Sequence, residues 1–140
     1  MGALDLSALP KNALLVIDSA PVIYVLENRE FAARFRPLLE LQRTGAIRLA
    51  ITTTAIVEVL TGPYATGDEA LARRYRAMFD SWQVVPLDVP IAESAARLRA
   101  ELRLKLADAI QLASAFAINA DALVTHDRDF SRVKGLRIIC

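Results

Sequence analysis

The chain is poor in the residues that build most soft-metal and nucleophile-based sites. It has one cysteine, Cys140, its last residue, so no internal disulfide and no thiolate metal centre is available. It has one histidine, His126, which removes the common zinc constellations built from several His or Cys ligands. No activated Ser, Cys or His arrangement is evident, so a covalent intermediate is not expected. Any metal must be held by oxygen, which points to Mg²⁺ or Mn²⁺. Uninterrupted apolar runs of membrane length are also missing. The longest stretch, Leu106 to Thr125, contains Asp108 and Asp121 and breaks at 119–121. Residues 1–10 carry Asp5 and no basic start ahead of an apolar run, so a signal peptide is not expected and a cytoplasmic protein is. Nor is there a charge excess: 17 basic against 16 acidic residues give a net charge of +1, so any nucleic-acid contact must rest on local charge.

What is present is ample core material, 54% hydrophobic residues in 140, without repeats, linkers or low-complexity tracts. One domain is expected, with residues 1–12 an extension outside its core. Ala13-Leu-Leu-Val-Ile17 is a continuous apolar run ending at Asp18, as in a strand buried on both faces. Further strands are expected at Ile47–Thr52, Val84–Leu87, Ala122–Thr125 and Leu136–Ile139. Helical spacing covers Pro21–Glu27, Glu30–Thr44, Ala55–Thr61, Glu69–Trp82, Ile91–Arg103 and Ala107–Ile118. Thr53 or Thr54 is placed to cap the third of these, and Gly62-Pro63 to end it. Alternating strands and helices predict an α/β fold: a three-layer α/β/α sandwich around a parallel sheet of four to five short strands.

That topology gathers acids. Sites in parallel α/β sheets form beyond the carboxyl ends of the strands. Asp18 follows the first strand directly and Asp127 follows the fourth after one residue, while Glu58 lies about a turn into the helix after the second. Asp108 precedes its strand, but its helix, roughly 18 Å long at about 1.5 Å per residue, runs antiparallel to that strand and returns it to the same edge. Glu58 and Asp108 interrupt apolar surroundings, a costly placement for unpaired carboxylates. Close carboxylates raise one another's pKa, and a divalent cation resolves that conflict. Such a cation acidifies water, orients it for in-line attack on phosphorus and offsets leaving-group charge. Phosphodiester hydrolysis is the chemistry this set serves best: Asp18, Asp108 and Asp127 would ligate the metal directly or through water, and Glu58 would bind a metal water or help deprotonate it.

Each acid alone has a plainer reading. Asp18 can end a strand, Asp127 can sit in an Asx turn, and Asp108 can serve the dipole of its helix. Their convergence is what favours chemistry. His126 lies beside the site as a possible base; Arg128 and Arg132 are the arginines nearest to it, for phosphate contact. Arg73, Arg74 and Arg76 read as a solvated helix face, and Tyr24, Tyr64 and Trp82 as packing residues that are also able to stack bases.

Four segments carry a resemblance. Val16-Ile-Asp18-Ser-Ala-Pro-Val-Ile-Tyr24, Thr54-Ala-Ile-Val-Glu58-Val-Leu-Thr-Gly-Pro63, Leu104-Lys-Leu-Ala-Asp108-Ala-Ile-Gln-Leu-Ala113 and Leu123-Val-Thr-His-Asp127-Arg-Asp-Phe130 resemble the ordered motifs of PIN-domain nucleases, above all VapC-type toxins of bacterial toxin–antitoxin pairs. The resemblance runs from about Leu14 to the C-terminus. It implies a metal-dependent endoribonuclease toxin, homodimeric, acting on RNA and restrained by a VapB-type antitoxin in a heterotetramer or larger assembly. It sets the family's four acids on Asp18, Glu58, Asp108 and Asp127. It makes Thr125 the hydroxyl residue beside the metal and gives Asp129 a supporting role through water or the loop. Two departures are visible: Ser19-Ala20 stands where Thr-Asn is frequent, with Ser19 keeping the hydroxyl, and Ala107 where Pro is frequent. The alternatives are a non-catalytic PIN-like module that only binds RNA or protein, and an aspartate-based phosphatase. The phosphatase needs a second Asp two residues after Asp18, where Ala20 stands; a related receiver domain needs an acidic pair before Asp18 and a late Lys, and both are missing.

Overall fold

The computed structural model describes residues 2–140, with Arg128 described in its backbone only. Five strands form one parallel sheet: β1 (Leu14–Ile17), β2 (Arg48–Thr52), β3 (Gln83–Val85), β4 (Ala122–Val124) and β5 (Arg137–Ile139), in the order β3-β2-β1-β4-β5. The helices are α1 (Ser19–Leu26), α2 (Ala32–Thr44), α3 (Thr53–Ala65), α4 (Glu69–Met78), α5 (Val89–Leu102) and α6 (Leu106–Ala117), with short 3-10 helices at Phe79–Ser81 and Arg128–Arg132. This is the expected α/β/α sandwich.

The period-two geometry of a strand explains why β1 has no polar residue. Leu15 and Ile17 point into one core with α1–α4, joined by Leu49 and Ile51 of β2 and Ala122 and Val124 of β4. Leu14 and Val16 point into the other core beneath α5 and α6, with Ala50 and Leu123. β1 is therefore central and wholly buried, with β2 and β4 on either side. Asp121 fixes the start of that pairing: its Oδ2 accepts from the Leu14 N–H at 2.8 Å. The N-terminal segment, expected outside the core, packs Leu4, Leu6 and Leu9 partly buried against the first cluster. Among the described residues no helix is long and apolar enough to cross a membrane.

Several boundaries differ from the sequence reading, each for a local reason. Helix α3 does not stop at Gly62-Pro63 but runs on to Ala65, with the Pro63 ring buried. A mid-helix proline costs about 3 kcal/mol, and here burial of the ring offsets it. The chain turns only at Gly67, whose φ of +72° suits glycine. The cap of α3 is Thr52 rather than Thr53 or Thr54: its hydroxyl accepts from the Ala55 N–H at 3.0 Å. Thr53 Oγ1 instead accepts from the Leu87 N–H. Helix α2 starts at Ala32 because Phe31 is left-handed, with φ +72°. Helix α4 gives way to a 3-10 turn after Met78, which lets Phe79 and Trp82 share the core with ring centroids 5.3 Å apart. Arg73, Arg74 and Arg76 are exposed, Arg76 paired to Asp80 at 3.0 Å.

Candidate active site

The acids collect where β1 and β4 end. Asp18 leaves β1 in extended geometry and caps α1, its Oδ1 accepting from the Ser19 N–H at 2.7 Å. It is buried, and neighbours donate to both oxygens: Gln111 Nε2 to Oδ1 at 3.3 Å and Thr125 Oγ1 to Oδ2 at 3.2 Å. Burial pushes its pKa up, while the Ser19 and Thr125 donors pull it back. The Thr125 hydroxyl also accepts from the Asp127 N–H at 3.0 Å, so one side chain links two of the expected acids.

Asp127 caps the 3-10 helix, its Oδ1 accepting from the Asp129 N–H at 2.8 Å. Asp108 sits in the first turn of α6 and is buried. Its Oδ2 has no hydrogen-bond partner. Burial first, and then Asp127 beside it, push the Asp108 carboxyl up to about 7. Asp127 goes the other way: burial raises it, but the Asp129 N–H, the Asp108 carboxyl and the Lys105 ammonium together hold it below the ordinary value.

Asp108, Asp127 and Asp129 each offer an oxygen within 4.8 Å of the others, a grouping able to hold a metal ion. The sequence reading had Asp18 in this set and Asp129 in support; the described side chains bring Asp129 in and leave Asp18 adjoining it through Thr125. Glu58 is exposed on α3 and outside the group. Partial burial of its carboxyl, then the charge of Asp18, raise its pKa, with the Ser19 hydroxyl opposing. An acidic set with a buried, unpartnered oxygen fits a hard divalent cation.

The other expected residues divide. His126 is held among aromatic side chains: its Nδ1 lies 3.0 Å from the Tyr24 hydroxyl, and its ring packs on Phe31 at 4.5 Å between centroids. Arg132 donates to the Leu102 carbonyl oxygen at 2.6 Å, at the end of α5. The Arg128 side chain lies outside the described residues.

A family model for the PIN domain matches residues 15–136. The chain belongs to the PIN domain family. Solved structures agree on the fold of this PIN domain. A toxin-antitoxin complex from Klebsiella pneumoniae is 28% identical, with a TM-score of 0.71 over 87% of this chain and 94% of that one. VapBC2 from Rickettsia felis, bound to a DNA fragment from its promoter, is 18% identical, with a TM-score of 0.72 over 89% and 96%. VapC20 of Mycobacterium tuberculosis, described as a sarcin-ricin loop cleaving toxin, is 14% identical, with a TM-score of 0.66 over 84% and 92%. No curated protein matches the sequence.

Three residues of this PIN domain escaped the sequence reading. Gln111 is fully buried and bridges Asp18 to Thr52, whose hydroxyl donates to Gln111 Oε1 at 3.0 Å. A signal existed: a lone amide in the apolar run of α6, three residues after Asp108 and so on the same helix face. Thr52 itself was read only as the end of a strand. Lys105 brings its ammonium to 4.0 Å from Asp129 at the rim of the acids; nothing distinguished it from any surface lysine.

Proposed function

We propose that this PIN domain is a VapC-type toxin: a Mg²⁺- or Mn²⁺-dependent endoribonuclease that hydrolyses RNA phosphodiester bonds and is inhibited by a VapB-type antitoxin. The observation that carries the reading is the buried Asp108 Oδ2, unpartnered beside Asp127 and Asp129. An oxygen in that state costs stability until a cation takes it. The solved relatives support the biology, since they include toxin–antitoxin complexes and one described as a sarcin-ricin loop cleaving toxin.

Asp108, Asp127 and Asp129 would hold the cation, with Asp18 ligating it directly or through water. A divalent cation held there would supply charge to offset that on the phosphoryl group and would acidify water. Gln111, Ser19 and Thr125 hold the Asp18 carboxylate in one orientation. Glu58, its pKa raised, takes a proton from the attacking water. The water oxygen bonds to phosphorus as one P–O ester bond breaks, and the departing oxygen is protonated from solvent. The working assembly is a homodimer that binds antitoxin as a heterotetramer or larger complex.

An RNA cleavage assay with added Mn²⁺ tests this. Cleavage is expected with metal, none after EDTA, and none from Asp18→Asn, which stays folded. Undiminished cleavage by that variant, or cleavage that survives EDTA, defeats the proposal. RNA binding without cleavage under any metal returns the chain to a non-catalytic module.

A further inference from the structure

The acids explain where a phosphate is attacked, but not how an RNA strand is held beside them. A cleft of about 400 Å³ shares Asp127 as part of its wall. Its lining also includes Arg34, His126, Phe130, Ser131 and Ile138. We propose that this cleft is a subsite for one nucleobase of RNA, adjoining the phosphate at the acids; the inference rests on the ribonuclease reading above.

The lining has the composition such a subsite needs. Small-molecule sites of roughly 300–1,000 Å³ are mostly apolar, with a few convergent polar groups. Phe130, which is buried, and Ile138 form the apolar surface, and the polar groups stand at its edge. His126 is fixed from behind: Tyr24 occupies Nδ1 at 3.0 Å, and Phe31 and Phe35 pack against the ring. Nε2 is then the ring nitrogen left to meet a base edge. Arg34 is fixed too, its guanidinium donating to the carbonyl oxygens of Gly2 and Cys140. A planar cation held this way stacks on a base or faces a flanking phosphate. Ser131 is exposed and adds a hydroxyl at the rim.

Two further points favour a base. His126 and Arg34 are pre-ordered by the protein itself, so little side-chain freedom is lost on binding. Phe31 holds a left-handed φ of +72° while its ring braces His126. Backbone strain of this kind persists where the surroundings enforce it, and it clusters at ligand sites. Asp127, on the wall, disfavours a carboxylate ligand in the same space. In this cleft His126 would position and select the base.

The test uses the intact protein in two arms. In the first, the four nucleoside 5′-monophosphates are titrated into Mg²⁺-free protein and backbone amide shifts are followed. Shifts confined to Phe130, Ser131, Ile138 and their neighbours, and lost in Ser131→Trp, are expected; their absence, or shifts elsewhere, overturns the subsite. In the second, Ser131→Trp and the smaller Ser131→Leu obstruct the cleft from an exposed position where folding is not at risk. KM for RNA should rise about tenfold in Ser131→Trp, within the range for losing one base contact, with kcat nearly unchanged. The nucleotide preference on one side of the cut should flatten, while Mn²⁺ affinity measured without RNA stays the same. Unchanged KM and preference in both variants also overturn it. If the wild-type protein cuts no RNA, the ribonuclease reading fails, and the nucleotide titration still decides the cleft.

Discussion

Asp18 and Asp108 are buried to nearly the same degree, 9% and 7% exposed, yet their surroundings are opposites. Around Asp18 the chain supplies three donors from three places: the Ser19 N–H, the Gln111 amide and the Thr125 hydroxyl. Around Asp108 it supplies a second acid and leaves Oδ2 with nothing. Burial alone therefore does not mark the metal site; the difference lies in who satisfies the oxygens. One half of the pocket is finished by the protein. The other is left open at Asp108 Oδ2, where the proposed cation would bind.

The sharpest way to break this contrast is to neutralise each acid in turn. Asp108→Asn should cost cleavage more than the ~100-fold upper figure for an outer partner of a metal site. The metal-free variant should nevertheless melt higher than wild type above pH 7, since a buried charge is gone. Asp18→Asn should lose cleavage as well but melt lower, because the amide nitrogen cannot accept the hydrogen bonds that the carboxylate does. Thermal melts in EDTA decide the matter, and equal responses would dissolve the contrast.

The next effect is pH dependence. Asp108 is raised to about 7, against about 4 in an unfolded chain. Between those values the folded state keeps a proton that the unfolded state has lost, so metal-free stability should fall as pH rises from about 4 to about 7. Asp18 and Glu58, also raised, act in the same direction. Asp127, lowered, contributes a gain only below its ordinary range and does not oppose the trend. Mn²⁺ affinity should climb over the upper part of this window as binding expels the Asp108 proton. Calorimetry in buffers of different ionisation enthalpy measures that proton.

A smaller loss is expected on the finished side. Gln111→Leu should reduce cleavage by about 10- to 100-fold through a loosened Asp18. It should also destabilise the fold by about 1–3 kcal/mol, because the Thr52 hydroxyl loses its buried acceptor. The smallest effect is Lys105→Gln. Its ammonium is well exposed and 4.0 Å from Asp129, so removing it should tighten Mn²⁺ by less than about fivefold, the scale of a screened surface pair.

The sheet and the convergence of the acids were legible because strands buried on both faces admit only apolar residues, and topology does the rest. Leu14–Ile17 could hardly be anything else. Gly62-Pro63 misled because local propensity says nothing of a ring that finds a buried place. The Thr52 cap was hidden one residue early, inside the strand's own pattern. The difference between Asp18 and Asp108 was not legible at all. Gln111, 93 residues from Asp18, becomes its donor only when α6 folds over β1, and the empty side of Asp108 is a property of that packing.

The strand order β3-β2-β1-β4-β5 also bears on how the protein is made. Its central strand and Asp18 are made early, but Asp108, Gln111, Thr125 and Asp127 follow 90 to 109 residues after Asp18. At about 5–20 residues per second, that gap is roughly 5 to 20 seconds. For most of it the half-made chain has neither Gln111 nor Thr125 beside Asp18, and neither Asp108 nor Asp127. The acidic site can therefore be completed only once the fourth strand and the turn after it have been made.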